Sequence, residues 1–408
     1  MRQERQAWLN VVIAAVMMVA TLPGRTQGLG LITEPLLADL GLDRVIYANL
    51  NLGATLLGAL LCLPAGWVFD RFGLRWPTAA ILLLLSAVVF TLGSTSGGIP
   101  SLFVLILLTR ALGQSALSVA SITAVGKSFS KASGAAMGVY AVVLSVLFAA
   151  AFVVIGGIVR DSGWRGAWFD VGLFLAFCVI PLVLFGLRLP KKPSARNETA
   201  SETGSLGLWQ AIRTPAFWTF GGAAAVFALV SSGLGLFNEA VLAERGFDQK
   251  TYHAFLAVTT LIALVGQLLS GWLISRMSMQ RLLGAALFLY GAAIAVLPLL
   301  VSQTQLWVFA ALMGLSGGMI TVIFFAIWGQ AFGSKNLGRI QGAAQMLTVL
   351  ASAIGPVIFA QCHSISGSYA PALWILAPLV ISLAFTALRV PMPKRADNCP
   401  TPLPVGCR

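Results

Sequence analysis

Residues 28–71 read GLGLITEPLLADLGLDRVIYANLNLGATLLGALLCLPAGWVFDR, and residues 233–276 read GLGLFNEAVLAERGFDQKTYHAFLAVTTLIALVGQLLSGWLISR. The two stretches align without a gap at a spacing of 205 residues and share 16 of 44 positions. Glu34 meets Glu239, Gly41 meets Gly246, Asp43 meets Asp248 and Tyr47 meets Tyr252. Gly66-Trp67 meets Gly271-Trp272, and Arg71 meets Arg276. Each copy is an apolar helix, a short polar turn, a second apolar helix and a basic turn. A membrane chain built from two similar halves is the expected plan of a secondary transporter, with its site where the halves meet.

The composition agrees. The chain is 58% hydrophobic and 10% charged, with a mean hydropathy of +0.90, which excludes a soluble domain. Apolar runs long enough to span a bilayer are expected at 8–38, 45–70, 76–96, 101–127, 133–159, 165–188, 214–243, 250–275, 281–302, 304–330, 338–364 and 369–389. All should be helical, because lipid offers no partner to unpaired backbone groups. The expected architecture is therefore an all-α membrane protein with twelve transmembrane helices in two pseudo-symmetric six-helix bundles. The bundles would occupy 1–189 and 214–390, joined by a polar linker at 190–213 and followed by a Pro-rich basic tail at 391–408.

Charge sets the expected orientation. With a cytoplasmic N-terminus, the cytoplasmic segments carry 19 of the 26 Lys and Arg and the outer loops carry five. Both termini should then be cytoplasmic, in a multi-pass protein of the cell (inner) membrane. The net charge of +13 follows from these loops and requires no nucleic-acid partner. The five Cys are scattered, without metal-ligand spacing. No nucleotide loop or nucleophile constellation is visible, so the expectation is a monomer without cofactor or enzymatic activity.

Two motifs carry a family resemblance. The turn from Gly66 to Arg75, GWVFDRFGLR, resembles the signature between helices two and three of the major facilitator superfamily. Arg110-Ala111-Leu112-Gly113-Gln114 is similar to that superfamily's fourth-helix signature. Gly163-Trp164-Arg165 and Thr214-Pro215-Ala216-Phe217-Trp218 resemble the monocarboxylate and oxalate/formate porter branches. The resemblance implies the major facilitator fold, alternating access and a small organic anion as substrate. Two departures stand out. The stretch Ala151–Gly157 lacks the Pro of the drug/proton antiporter signature, and Ser275 stands where the first half has Asp70.

Arg25 is the costliest residue, about 17 residues into the first span. A charge at that depth should face a cavity or a partner. Pro23-Gly24 beside it suggests the kind of helix break that builds transporter sites. It is either an anion clamp, since a guanidinium presents a planar fork to a carboxylate, or a structural partner of Glu34 or a helix carbonyl. Arg110 heads a polar stripe with Gln114, Ser118 and Ser121, spaced to share one helix face. Gln345, Trp328 and Asn238 complete the expected pocket, each also readable as interhelical glue. Asp70, Arg71 and Arg75 form a charged turn, read as a gate latch or a topology anchor. Glu34 and Glu239, matched near the outer helix ends, are the candidates for proton coupling. The reading is a secondary transporter of a small organic anion, a monocarboxylate, taken up with protons or exchanged for a counter-anion. Its alternatives are a proton-coupled exporter of neutral or amphipathic compounds and a transporter-like sensor without turnover.

Overall fold

The computed structural model describes residues 2–95, 98–129, 133–189 and 205–393. Most of the linker and the end of the tail lie outside the described residues. Regular structure among the described residues is entirely helical. Eleven helices are long and apolar enough to cross a bilayer: α1 (Gln3–Gly24), α2 (Val45–Phe72), α3 (Arg75–Ser94), α4 (Ile99–Ser128), a 53-residue helix at Gly134–Gly186, and six more in the second half. These six are Pro215–Ala243, Lys250–Leu273, Met279–Leu299, Gln303–Phe332, Leu337–Ser366 and Ala370–Arg389.

The 53-residue helix would measure about 80 Å if straight, against a hydrocarbon core of about 30 Å. It is not straight. Gly163 takes φ 74°, ψ 170°, which breaks the helix. Asn10 shows that the chain turns back there. Its Nδ2 donates both to Ser128 Oγ, before the hairpin, and to the Arg188 carbonyl, after it, each at 2.9 Å. The segment is therefore two crossings: α5, from Gly134 to the turn at Gly163, and α6, from that turn to Gly186. The second-half helices become α7 to α12 in the order given, and the twelve expected crossings are present.

The repeated residues do the same work in each half. Asp43 caps α2 by accepting from the Val45 and Ile46 amides at 2.7 and 3.3 Å, and Asp248 caps α8 through the Thr251 amide at 2.9 Å. The Thr251 hydroxyl, and then its amide, hold the Asp248 carboxyl below the usual carboxylate range. Gly41 and Gly246, both at positive φ, let the next amide return to the carbonyls of the matched Leu37 and Leu242. Arg71 stacks over Trp67 at 5.3 Å and Arg276 over Trp272 at 3.8 Å. The aligned acids Asp39 and Glu244 each fasten their own half's outer loops. Asp39 pairs with Arg165 at 2.9 Å, and Glu244 accepts from Ser368 at 2.9 Å.

The two halves meet tightly at the end that carries the termini. A Cβ on Gly138 of α5 would lie 2.9 Å from the Gly271 Cα of α8, and the reciprocal approach is 3.0 Å. Gly66 of α2 lies against the Gly338 carbonyl of α11, and Gly342 against the Cys62 carbonyl. Only glycine permits such backbone contact. At the opposite end, the bonds made by Asp39 and Glu244 stay within their own halves.

Gly163 has open space around its would-be Cβ, so a side chain there meets backbone strain alone. Gly163→Ala should cost about 1–3 kcal/mol, read as a lower melting temperature of the detergent-purified protein. An unchanged melting point would mean that the reversal does not depend on this backbone conformation.

Candidate functional site

The site begins where α1 fails. The α-helix Arg2–Val19 ends, Leu22–Gly24 forms a tighter turn, and Arg25 is extended at φ −96°, ψ 152°. Short helices at Thr26–Gly30 and Thr33–Leu40 then continue the crossing. Pro23 stiffens the turn, and Gly24 lets it touch α4, since a Cβ there would collide with the Thr109 carbonyl. The matched α7 is one uninterrupted helix, Pro215–Ala243.

The break places Arg25 half-buried between α1, α4 and α5. Its Nε donates to Thr21 Oγ1 at 2.6 Å, and its Nη2 to Ser118 Oγ at 3.1 Å and Met18 Sδ at 2.9 Å. Phe148 lies against its face at 5.5 Å. All these partners are neutral. No carboxylate of a described residue lies within ion-pair distance of Arg25, so the pairing with Glu34 weighed from the sequence is not what the structure shows. Nη1 donates to no described residue.

Arg110 is differently placed. It is 2% exposed and starts a π-helical segment, Arg110–Leu117. Such wide turns are frequent at functional sites. Its Nη1 donates to the Gly24 carbonyl, Thr26 Oγ1 and Gln114 Oε1 at 3.0–3.2 Å, and its Nη2 to Asn51 Oδ1 at 2.9 Å. Arg110 therefore splices the two sides of the α1 break to α4 and α2. Gln114 is half-buried beside it, with its amide nitrogen donating to no described residue.

The remaining expected pocket residues separate. Gln345 on α11 is half-buried and its side chain has no hydrogen-bond partner among the described residues, as suits a group lining the space between the halves. Trp328 is 0% exposed and packs on Phe217, Phe324 and Phe332. The structure thus puts it in the aromatic core of the second half rather than on a pocket wall. Its neighbours Phe324 and Phe325 on α10 are half-buried, and Phe325 meets Tyr140 of the first half. Asn238 is half-buried on α7, with an enclosed Oδ1 that accepts from no described residue. Glu34 and Glu239 are both exposed.

The charged turn after α2 does not act as one unit. The Asp70 side chain is 4% exposed and pairs with Lys127 Nζ at 2.7 Å. It also accepts from the Gly338 and Arg339 amides at 3.0 and 2.8 Å. Those amides open α11 in the other half, where the first turn leaves N–H groups unpaired and the dipole favours an anion. Arg71 and Arg75 are exposed and lie over Trp67 and Trp76, outside this contact. Sequence reasoning missed Lys127 and the α11 amides, which no motif announces.

Comparison with known proteins then decides the family. The family model described as Major Facilitator Superfamily matches residues 11–240 and again 220–404. The chain belongs to the major facilitator superfamily. Rat monocarboxylate transporter 13 is 23% identical over 152 residues, which is 37% of this chain and 36% of that relative, so the match spans little more than a third of either. Among solved structures, the human organic anion transporter MFSD10 (TETRAN) superposes with a TM-score of 0.68 at 15% identity, over 94% of this chain and 98% of that one. FucP, a transporter of the same superfamily, in its outward conformation gives 0.68 at 16% identity, also over 94% and 98%.

The protein is thus a multi-pass membrane transporter and not an enzyme. For a major facilitator transporter, the structure is closed at the terminal end by the glycine contacts and by Asp70. Removing the charge should loosen that end. Hydrogen bonds to a charged group contribute about 1.5–3 kcal/mol each, and 1.36 kcal/mol is tenfold in population. Asp70→Asn should raise the rate of hydrogen exchange at the Gly338 and Arg339 amides at least tenfold, because the carboxylate accepts from both. An unaltered rate would remove Asp70 from the closure.

Proposed function

We propose that the protein is a secondary active transporter that moves a small organic anion, a monocarboxylate, by alternating access. It works as a proton symporter or as an anion exchanger. The observation that carries this reading is Arg25: a guanidinium inside the membrane, without a counter-charge, held by neutral groups and with one nitrogen left unengaged. Leaving a cation uncompensated at that depth is costly. A carboxylate that arrives as substrate removes the cost, and the same field disfavours cationic solutes. Arg110, already spent on four neutral acceptors, acts as the positioning residue. The names of the rat and human relatives, a monocarboxylate transporter and an organic anion transporter, support the same class.

In the proposed cycle the closed terminal end faces the cytoplasm of an inner membrane, as the basic loops favour, and the pocket is reached from outside. The monomer suffices, since the site is built between the halves of one chain. Binding neutralises Arg25 and lets the halves rock, so that the α2–α11 and α5–α8 contacts separate. No acidic residue is needed in the pocket, because the substrate itself can carry the proton or be replaced by a second anion.

The test is a thermal-shift series on purified protein with carboxylates, sugars, amines and neutral amphiphiles, repeated with Arg25→Gln. A ligand at 100 times its dissociation constant adds about 2.7 kcal/mol of stability. Carboxylates should raise the melting point of the native protein and leave a folded Arg25→Gln unmoved. Shifts with neutral compounds that survive the substitution would overturn the anion reading in favour of an amphiphile exporter. Binding without counterflow of the same radiolabelled carboxylate in proteoliposomes would leave a sensor.

A further inference from the structure

The groups around Arg25 narrow the substrate further, on the premise that the site binds an organic anion. The geometry points to a monocarboxylate bearing an aromatic ring, with the carboxylate on Arg25 and the ring against Phe148 and Phe325.

The head group comes first. Arg25 has Nε and Nη2 engaged and one face covered by Phe148. A carboxylate can approach only in the guanidinium plane, on the Nη1 edge. A second carboxylate finds no second cation: Arg110 has both Nη atoms on neutral acceptors and an enclosed Nε. Dicarboxylates would therefore bury an unpaired charge.

The rest of the molecule meets rings. Ser118 and Ser121 lie one turn apart on α4; Ser118 holds Arg25, and Ser121 holds the Tyr140 hydroxyl at 2.7 Å. Tyr140 and Phe148 lie eight residues apart on α5, on one face. The Tyr140 ring meets Phe325 of α10 edge-on at 5.3 Å, and Phe324 follows at 6.1 Å. Tyr140 and Phe325 thus close the terminal side, about 12 Å along α5 from Phe148. Phe148 and Phe325 are half-buried; Phe148 lies on Arg25 and Phe325 reaches Tyr140 of the other half, so a ring attached to an acid on Arg25 would have both within reach. That length suits a phenyl ring on a short acid. It exceeds what acetate or propionate can fill, and aromatic pairs gain beyond the area they bury.

The experiment measures equilibrium binding of phenylacetate, propionate, phthalate and 2-phenylethanol to the purified transporter. Phenylacetate should bind at least tenfold tighter than propionate, and phthalate weaker than phenylacetate. Phe325→Ala should pull the phenylacetate-to-propionate ratio towards one, with Phe325→Leu as the gentler variant should the alanine form melt early. Propionate binding as tightly as phenylacetate, a ratio that Phe325 variants leave unmoved, or phthalate binding tightest would overturn the aromatic assignment while leaving an anion site intact. Binding of 2-phenylethanol with none of the acids would overturn both.

Discussion

The arrangement depends on one carboxylate. Asp70, nearly sealed from solvent, joins Lys127 of its own half to the first amides of α11 in the other. A buried ion pair by itself is weak evidence for stability, because desolvation offsets the attraction. Here the carboxylate also satisfies amides that the helix cannot satisfy itself. Gly66 and Gly338 make that possible, since their backbones approach too closely for any side chain between them. With that end shut, the groups around Arg25 can be reached only from the opposite end. The vertical position of the closure, and with it the side on which the pocket opens, follows from where these glycines fall along α2 and α11.

Two arginines inside the spans divide the labour. Arg110 is enclosed and ties the broken ends of α1 to α2 and α4, so its charge is spread over carbonyl, hydroxyl and amide oxygens. Arg25 sits at the break it depends on, with fewer and weaker partners. The same lattice that fixes Arg110 therefore sets where Arg25 points. Gln341, wholly buried on α11 with neither amide atom bonded to a described residue, adds a cost to the closed end.

Local features were legible in the sequence; those that depend on facing partners were not. The caps at Asp43 and Asp248 and the turns at Gly41 and Gly246 are set within a few residues, which is why the same residues recur in the polar turn of both copies. The break in α1 was readable from Pro23-Gly24, and the reversal at Gly163 from the gap between the apolar runs 133–159 and 165–188. The partners of Asp70 were not readable, because backbone amides carry no side-chain signature. Trp328 misled for a related reason. Phe324, Phe325 and Trp328 cover adjacent faces of α10, and only the packing of Phe217 and Phe332 decides which face turns inward. Arg71 and Arg75 sit in the same turn as Asp70, but their stacking on Trp67 and Trp76 draws them to the surface.

The departures from symmetry say more than the symmetry. Matched residues build the frame: caps, turns, Arg-on-Trp stacks and the acids that tie outer loops. Where the copies differ, the first half carries the charged and broken elements. Arg25 faces Val230 in the alignment, a broken α1 faces a continuous α7, and Asp70 faces Ser275. In the second half, close glycine packing between α8 and α10, through Gly266, Gly314 and Gly318, stands where the first half has its polar knot around Arg110. A rigid apolar half against a polar, broken one is a reasonable division for a rocking carrier. One half holds Arg25 and the polar groups around it, and the other is packed through glycines and rings, so relative movement of the two breaks few polar contacts.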